Sequence, residues 1–121
     1  MDADVLRRLR VVASALESKK AYRLTAFDVS EKTSIAEAFV LCTVGSARQA
    51  QAVADEVDRR LAAEGSRALS VEGYRQGGWV LADYGDFILH VFTEERRDFY
   101  ALERLWGDAP DVTAEVRAGT T

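Results

Sequence analysis

Three places in this chain carry side chains able to do covalent or acid–base chemistry: Cys42, the Gly45-Ser46 pair, and His90 with the acids Asp83 and Asp86. A cysteine nucleophile acts as its thiolate, which wants partial exposure and a cationic neighbour. Cys42 instead sits inside the apolar run Ala38-Phe39-Val40-Leu41-Cys42-Thr43-Val44, so a buried, inert thiol is expected. His90 is the only histidine and lies between Leu89 and Val91. With Asp83 diagonal to it across a hairpin it has the parts of a general base, yet no serine or cysteine nucleophile is placed beside it. A packed histidine holding one hydrogen bond is favoured over a catalytic one.

Gly45-Ser46 opens a helix directly after a strand, and free amides there can cradle a phosphate. Nucleotidyl-transfer enzymes share this opening, but they also converge two or three carboxylates on metal ions from adjacent strands. Here Ser46 is followed by Ala47, Arg48 and Gln49, and the next strand carries no Asp-x-Asp or Asp-x-Glu pattern. Asp83 and Asp86 straddle a turn, so their side chains should diverge. No catalytic residue, metal site or cofactor is expected.

A binding surface explains the remaining chemistry better. Between Val71 and Pro110 lie both tryptophans, three of the four tyrosines, the only histidine and the only proline. Aromatic anchors supply contact area at low entropic cost, and acids beside them select a basic partner. Trp79 is followed by Asp83 and Asp86, and Trp106 is bracketed by Glu103 and Asp108. The short basic pairs Arg7-Arg8 and Arg96-Arg97 read as solvated helix faces.

The elements that must position these groups follow from periodicity. Val5, Leu9, Val12, Ala13 and Leu16 share one face of a helix over residues 3–17, with Asp2 as its N-cap. Residues 21–29 alternate as a strand, and 38–44 form a strand covered on both faces. Ser46 and Gln49 make a capping box for a second helix whose stripe is Ala50, Ala54, Val57 and Leu61, with Gly65 as its C′ residue. A short strand spans 68–72. Trp79–Tyr84 and Phe87–Phe92 then flank Gly85-Asp86 as a two-residue hairpin.

That hairpin dictates a register. Val80, Ala82 and Tyr84 meet Val91, Leu89 and Phe87 on one side of the sheet; Trp79, Leu81 and Asp83 meet Phe92, His90 and Ile88 on the other. A third helix covers about 96–106, and the chain from Thr113 reads as a frayed tail. The fold class is α/β: one domain over residues 1–112, a mixed sheet of about five strands flanked by helices, and a flexible tail over 113–121. Strand–helix–strand crossovers favour parallel neighbours, whereas the last hairpin is antiparallel.

Totals narrow the partner. At 121 residues, 48% hydrophobic and 30% charged, the chain can bury a core without staples. A single cysteine excludes an internal disulfide and suits a reducing compartment. Twenty acids against 16 bases give a net charge of −4, which argues against a nucleic-acid footprint and towards a basic partner. No apolar run approaches the ~20 residues of a membrane span, and Met1-Asp2-Ala3-Asp4 does not open like a signal peptide. A cytoplasmic protein with no membrane contact and little or no direct nucleic-acid contact is expected.

The text of the chain resembles the ribosomal silencing factor family, RsfS or Iojap-related proteins. The matching residues are Asp28-Val29-Ser30, Ser34-Ile35-Ala36, Phe39-Val40-Leu41-Cys42, Ser46 with Arg48-Gln49, and Ala52-Val53-Ala54-Asp55. More specific still are Glu72-Gly73-Tyr74, Gly78-Trp79-Val80-Leu81, Asp83-Tyr84-Gly85-Asp86, His90-Val91-Phe92, and Phe99-Tyr100 with Leu102 through Ala109. One departure is Ala38, where an aromatic is expected before Phe39. The resemblance implies a nucleotidyltransferase-like α/β domain without that catalysis. It also implies a translational repressor that binds the large ribosomal subunit through its universal fourteenth protein and blocks joining of the small subunit when nutrients are scarce. Organellar relatives act in large-subunit assembly. On this reading Trp79, Leu81 and His90 form the face that meets the partner. Tyr74, Glu103, Trp106 and Asp108 form its edge, and Asp83 is among the steering acids. The alternatives are a degenerate nucleotidyltransferase-like protein binding a nucleotide at Gly45-Ser46, and a homodimer formed through the same aromatic patch.

Overall fold

The computed structural model describes residues 1–100 and 108–118, with the side chains of 98–100 left outside the description. Helix α1 (Ala3–Ser18) starts where expected, because the Asp2 carboxylate accepts from the amides of Asp4 at 2.7 Å and Val5 at 3.3 Å. Its buried stripe contains Val5, Leu9, Val12, Ala13 and Leu16. Strand β1 (Tyr22–Asp28) pairs antiparallel with β2 (Ala38–Val44), with a bulge between Tyr22 and Thr25 at Arg23, whose φ is +53°. Every residue of β2 is buried, as a strand covered on both faces must be.

Helix α2 (Ala47–Ala63) is closed at both ends by its own sequence. Ser46 Oγ accepts from the Gln49 amide at 3.1 Å, and Gln49 Oε1 accepts from the Gly45 amide at 2.8 Å. At the far end Gly65, at φ +81°, donates to Ala62 O while Ser66 donates to Leu61 O, the paired bonds of a Schellman stop. Strands β3 (Ser70–Glu72), β4 (Trp79–Asp83) and β5 (Phe87–Thr93) follow, then α3 (Glu94–Tyr100) and α4 (Thr113–Arg117).

The sheet is five-stranded and mixed, in the order β1-β2-β5-β4-β3. The β4–β5 register matches the expectation pair for pair: Trp79 opposite Phe92, Leu81 opposite His90, Asp83 opposite Ile88. Gly85 takes φ +87°, and Tyr84 N donates to Phe87 O at 2.9 Å, so the two-residue turn is as read. The parallel neighbour of β2 is β5, not the strand that directly follows α2. The crossover through α2 carries the chain to β3 at the far edge, and the hairpin then returns to fill the space between.

Two further expectations are corrected. The third helix begins earlier than 96, at Glu94, and positions 101–106 of that expectation lie outside the described residues. Residues 113–117 are not a frayed tail but form α4, with Val116 fully buried against the core that α1 and β1 share, and positions 119–121 of that expectation lie outside the described residues. Val112 N donates to Ala26 O at 2.8 Å and Thr113 Oγ1 accepts from Ala26 N at 2.9 Å, which ties α4 to the outer edge of β1.

Candidate docking face

Alternation along the strands gives the sheet two unlike faces. Val40, Cys42, Val80, Ala82, Leu89 and Val91 point towards α1 and α2 and share one core with their stripes. Phe27, Phe39, Leu41, Ile88 and Phe92 point the other way and form a second cluster with Val29, Ala36 and Ala109. Trp79 and Leu81 pack against this second cluster but stay partly exposed. Burial on this face therefore falls away towards β4 and the edge strand β3, all three residues of which are exposed.

At that margin the Trp79 indole stacks on Phe92, with ring centroids 5.1 Å apart and an interplanar angle of 27°. Its Nε1–H donates to His90 Nδ1 at 3.2 Å. His90 also meets the edge of Phe39 at 5.4 Å. The histidine is only 5% exposed, which corrects its expected place on a partner-facing surface. Burial, reinforced by the nearby Arg97 guanidinium, pushes its pKa down to about 4, so the ring is neutral near pH 7. It supports the tryptophan from beneath and does not itself meet solvent.

The other expected residues divide. Asp83 lies on the same face, where its Oδ1 accepts from Gly85 N at 2.8 Å and closes the hairpin turn. Tyr74 belongs to the opposite side, because its hydroxyl donates to the Asp55 carboxylate of α2 at 3.0 Å. Asp108 stands beside β1, with two strands between it and β4, and a hydrogen bond from Lys32 at 2.8 Å lowers its pKa. Glu103 and Trp106 lie outside the described residues.

Three residues gained roles that local reading missed. Glu72 is exposed and pairs with Leu81 across β3 and β4, which puts an acid beside a partly exposed apolar side chain. Only the pairing of so short an edge strand could have flagged it. Arg97 and Arg8 are buried, not solvated. Arg97 donates to Arg23 O and Thr43 Oγ1, each at 3.1 Å, and to Thr25 Oγ1 at 3.3 Å. Arg8 bridges Asp4 and Asp86 and lies over the Phe87 ring, so Asp86 fastens the hairpin turn to α1.

The profile of the family described as "Ribosomal silencing factor during starvation" matches residues 2–120. The chain belongs to the ribosomal silencing factor family. Its relatives include the ribosomal silencing factor RsfS of Halalkalibacterium halodurans, 39% identical over 107 residues that cover 88% of this chain and 92% of that one. The RsfS of Bacillus subtilis is 37% identical over 102 residues, covering 84% and 86%. A crystal structure of a protein from Chromobacterium violaceum superposes with a TM-score of 0.80 at 34% identity, covering 88% of each chain. Family membership accounts for the fold and indicates a role in translation regulation at the ribosome.

The remaining reactive groups are engaged within the fold. Burial pushes the Cys42 thiol up to about 12, which keeps it protonated. The helix opening at Ser46 is already used: Gln49 serves the cap and also donates from Nε2 to Lys19 O at 3.0 Å, binding the end of α1. Among the described residues no three His, Cys, Asp or Glu side chains come together as a metal site. None of the described helices is long and apolar enough to cross a membrane.

Proposed function

We propose that this protein docks on the large ribosomal subunit through the β3–β4 margin and sterically excludes the small subunit, lowering translation when nutrients are limiting. Trp79 and Leu81 are the anchors, and the surface met is the basic universal fourteenth protein of the large subunit. The observation that carries this reading is the pairing of two partly exposed apolar side chains on β4 with exposed Glu72 on an open sheet edge. A tryptophan held on a rigid strand loses little entropy on binding, and an adjacent carboxylate steers a basic partner. The net charge of −4 acts in the same direction. The activity belongs in the cytoplasm, where free subunits meet.

Exclusion needs no catalysis. An interface of the usual size, about 1,600 Å² in total, is small beside the contact between subunits, yet it blocks joining if the two surfaces overlap. Purified small and large subunits test this directly. The protein should pellet with the large subunit alone and suppress formation of the joined ribosome; pelleting with the small subunit, or joining undisturbed at saturation, would overturn it.

Self-association is a second reading with its own observation. Strand β3 is an open edge, and Leu69 beside it is 74% exposed. Sedimentation velocity over a dilution series separates a dimer built on this edge from a monomer.

A further inference from the structure

His90 has one ring nitrogen bonded and one stranded. Nδ1 accepts the Trp79 N–H, so the neutral ring must carry its proton on Nε2. That Nε2–H is buried and has no hydrogen-bond partner among the described residues. A buried donor left unpaired is unfavourable, and a leucine would fill the same space without one. Histidine at this position therefore gives up stability, and what it supplies in return is an acceptor aimed at the Trp79 indole. A ring stack tolerates a flip about the last side-chain torsion, whereas a hydrogen bond to Nε1–H picks one of the two orientations.

We propose that His90 is a positioning residue for docking: by accepting the Trp79 N–H it fixes the indole in the orientation that meets the partner. This rests on the reading of Trp79 as a ribosome anchor and adds a statement about partner chemistry. Because the indole N–H is satisfied within the protein, Trp79 presents apolar ring surface outward. It is suited to an aliphatic or cationic side chain and not to a hydrogen-bond acceptor.

The test uses His90→Leu, which removes the acceptor, and His90→Asn, whose Oδ1 replaces Nδ1, each in the wild-type and Trp79→Phe backgrounds. Binding is read by titration against purified large subunits, and the state of the indole by its N–H resonance in the free protein. His90→Leu should weaken binding by about tenfold, the worth of one well-placed hydrogen bond, and move the Trp79 N–H resonance. His90→Asn should restore both. In the Trp79→Phe background, which lacks the N–H, His90→Leu should cost nothing further.

A folded His90→Leu with wild-type affinity, or an equal loss in both backgrounds, would overturn the proposal. If His90→Leu fails to fold, Trp79→Phe breaks the same bond from the other side and should bind about tenfold more weakly; unchanged affinity there would likewise overturn it. Absence of binding by the wild-type protein would sink the ribosome reading instead. An indole resonance unmoved by His90→Leu would then sink the positioning role separately.

Discussion

On the helix-covered face of the sheet, Val40, Cys42, Val80, Ala82, Leu89 and Val91 meet the apolar stripes of α1 and α2, with the Arg8 guanidinium over Phe87 at one end. On the other face Phe39, Leu41 and Phe92 surround His90, with Arg97 reaching Thr25 and Thr43 close by. The first face is mostly small and branched side chains, with the stacked pair Tyr84 and Phe87 at the hairpin end. The second uses flat rings, buries polar groups among them, and releases its grip towards β4. One face is built for stability alone. The other accepts unfavourable burial in order to hold a tryptophan at its rim.

That contrast breaks most visibly under truncation of the helix-covered face. Phe87 is fully buried, stacks on Tyr84 at 5.2 Å and lies beneath the Arg8 guanidinium. Phe87→Ala should lower the unfolding free energy by roughly 3–5 kcal/mol in denaturant titrations. A loss below about 1 kcal/mol would mean that this face is less tightly packed than described.

Acid discriminates the two faces next. An unfolded histidine takes up its proton near its ordinary value of 6.5, whereas folded His90 does so only near 4. Stability contributed by the neutral ring is thus fully present above pH 6.5 and lost as pH falls towards 4, amounting to roughly 3 kcal/mol. Carboxylates titrate in the same range, so the quantity to measure is the difference between wild type and His90→Leu. The variant should lose less stability between pH 6.5 and pH 4; parallel curves would contradict a buried neutral histidine.

A smaller effect is expected where the loop after β3 crosses α2. Gly77 has φ +73°, and a Cβ there would come within 2.8 Å of Ala47 Cα. Gly77→Ala should cost about 2 kcal/mol by thermal unfolding while leaving the fold intact. Least of all is expected of Tyr74→Phe. This residue is tied to α2 and not to the Trp79 face, so large-subunit binding should stay within about twofold of wild type. A large loss would extend the docking surface around the β3 edge.

How much of this was legible beforehand depends on the range of the interactions involved. The β4–β5 register could be read because Gly85-Asp86 permits only one short turn, and alternation then assigns each side chain to a face. The helix caps were equally local: Asp2, Ser46 and Gly65 act within a few residues. Which part of the second face is covered was not legible, since it depends on Ala109 and the residues after Phe27, which pack from elsewhere in the chain. The burial of Arg8 escaped for the same reason. Its partner Asp86 is 78 positions away, and nothing near Arg8 distinguishes a bridging arginine from a solvated one. Helix α4 was missed because five residues are too few to show a period, and Val116 is held by α1 and β1 and not by its own neighbours. Tyr74 and Asp108 share with Trp79 the clustering of aromatics and acids and the family motifs, but the fold places Tyr74 against α2 and Asp108 near β1, away from it.

On the proposed reading, Trp79 anchors this protein on the large ribosomal subunit. Co-sedimentation with purified large subunits, comparing wild type with Trp79→Ala after confirming that the variant melts cooperatively, tests it most directly. The wild-type protein should pellet with the large subunit, and the folded variant should bind at least ~30-fold more weakly, as loss of a central aromatic anchor requires. A folded Trp79→Ala that pellets as well as wild type would contradict it.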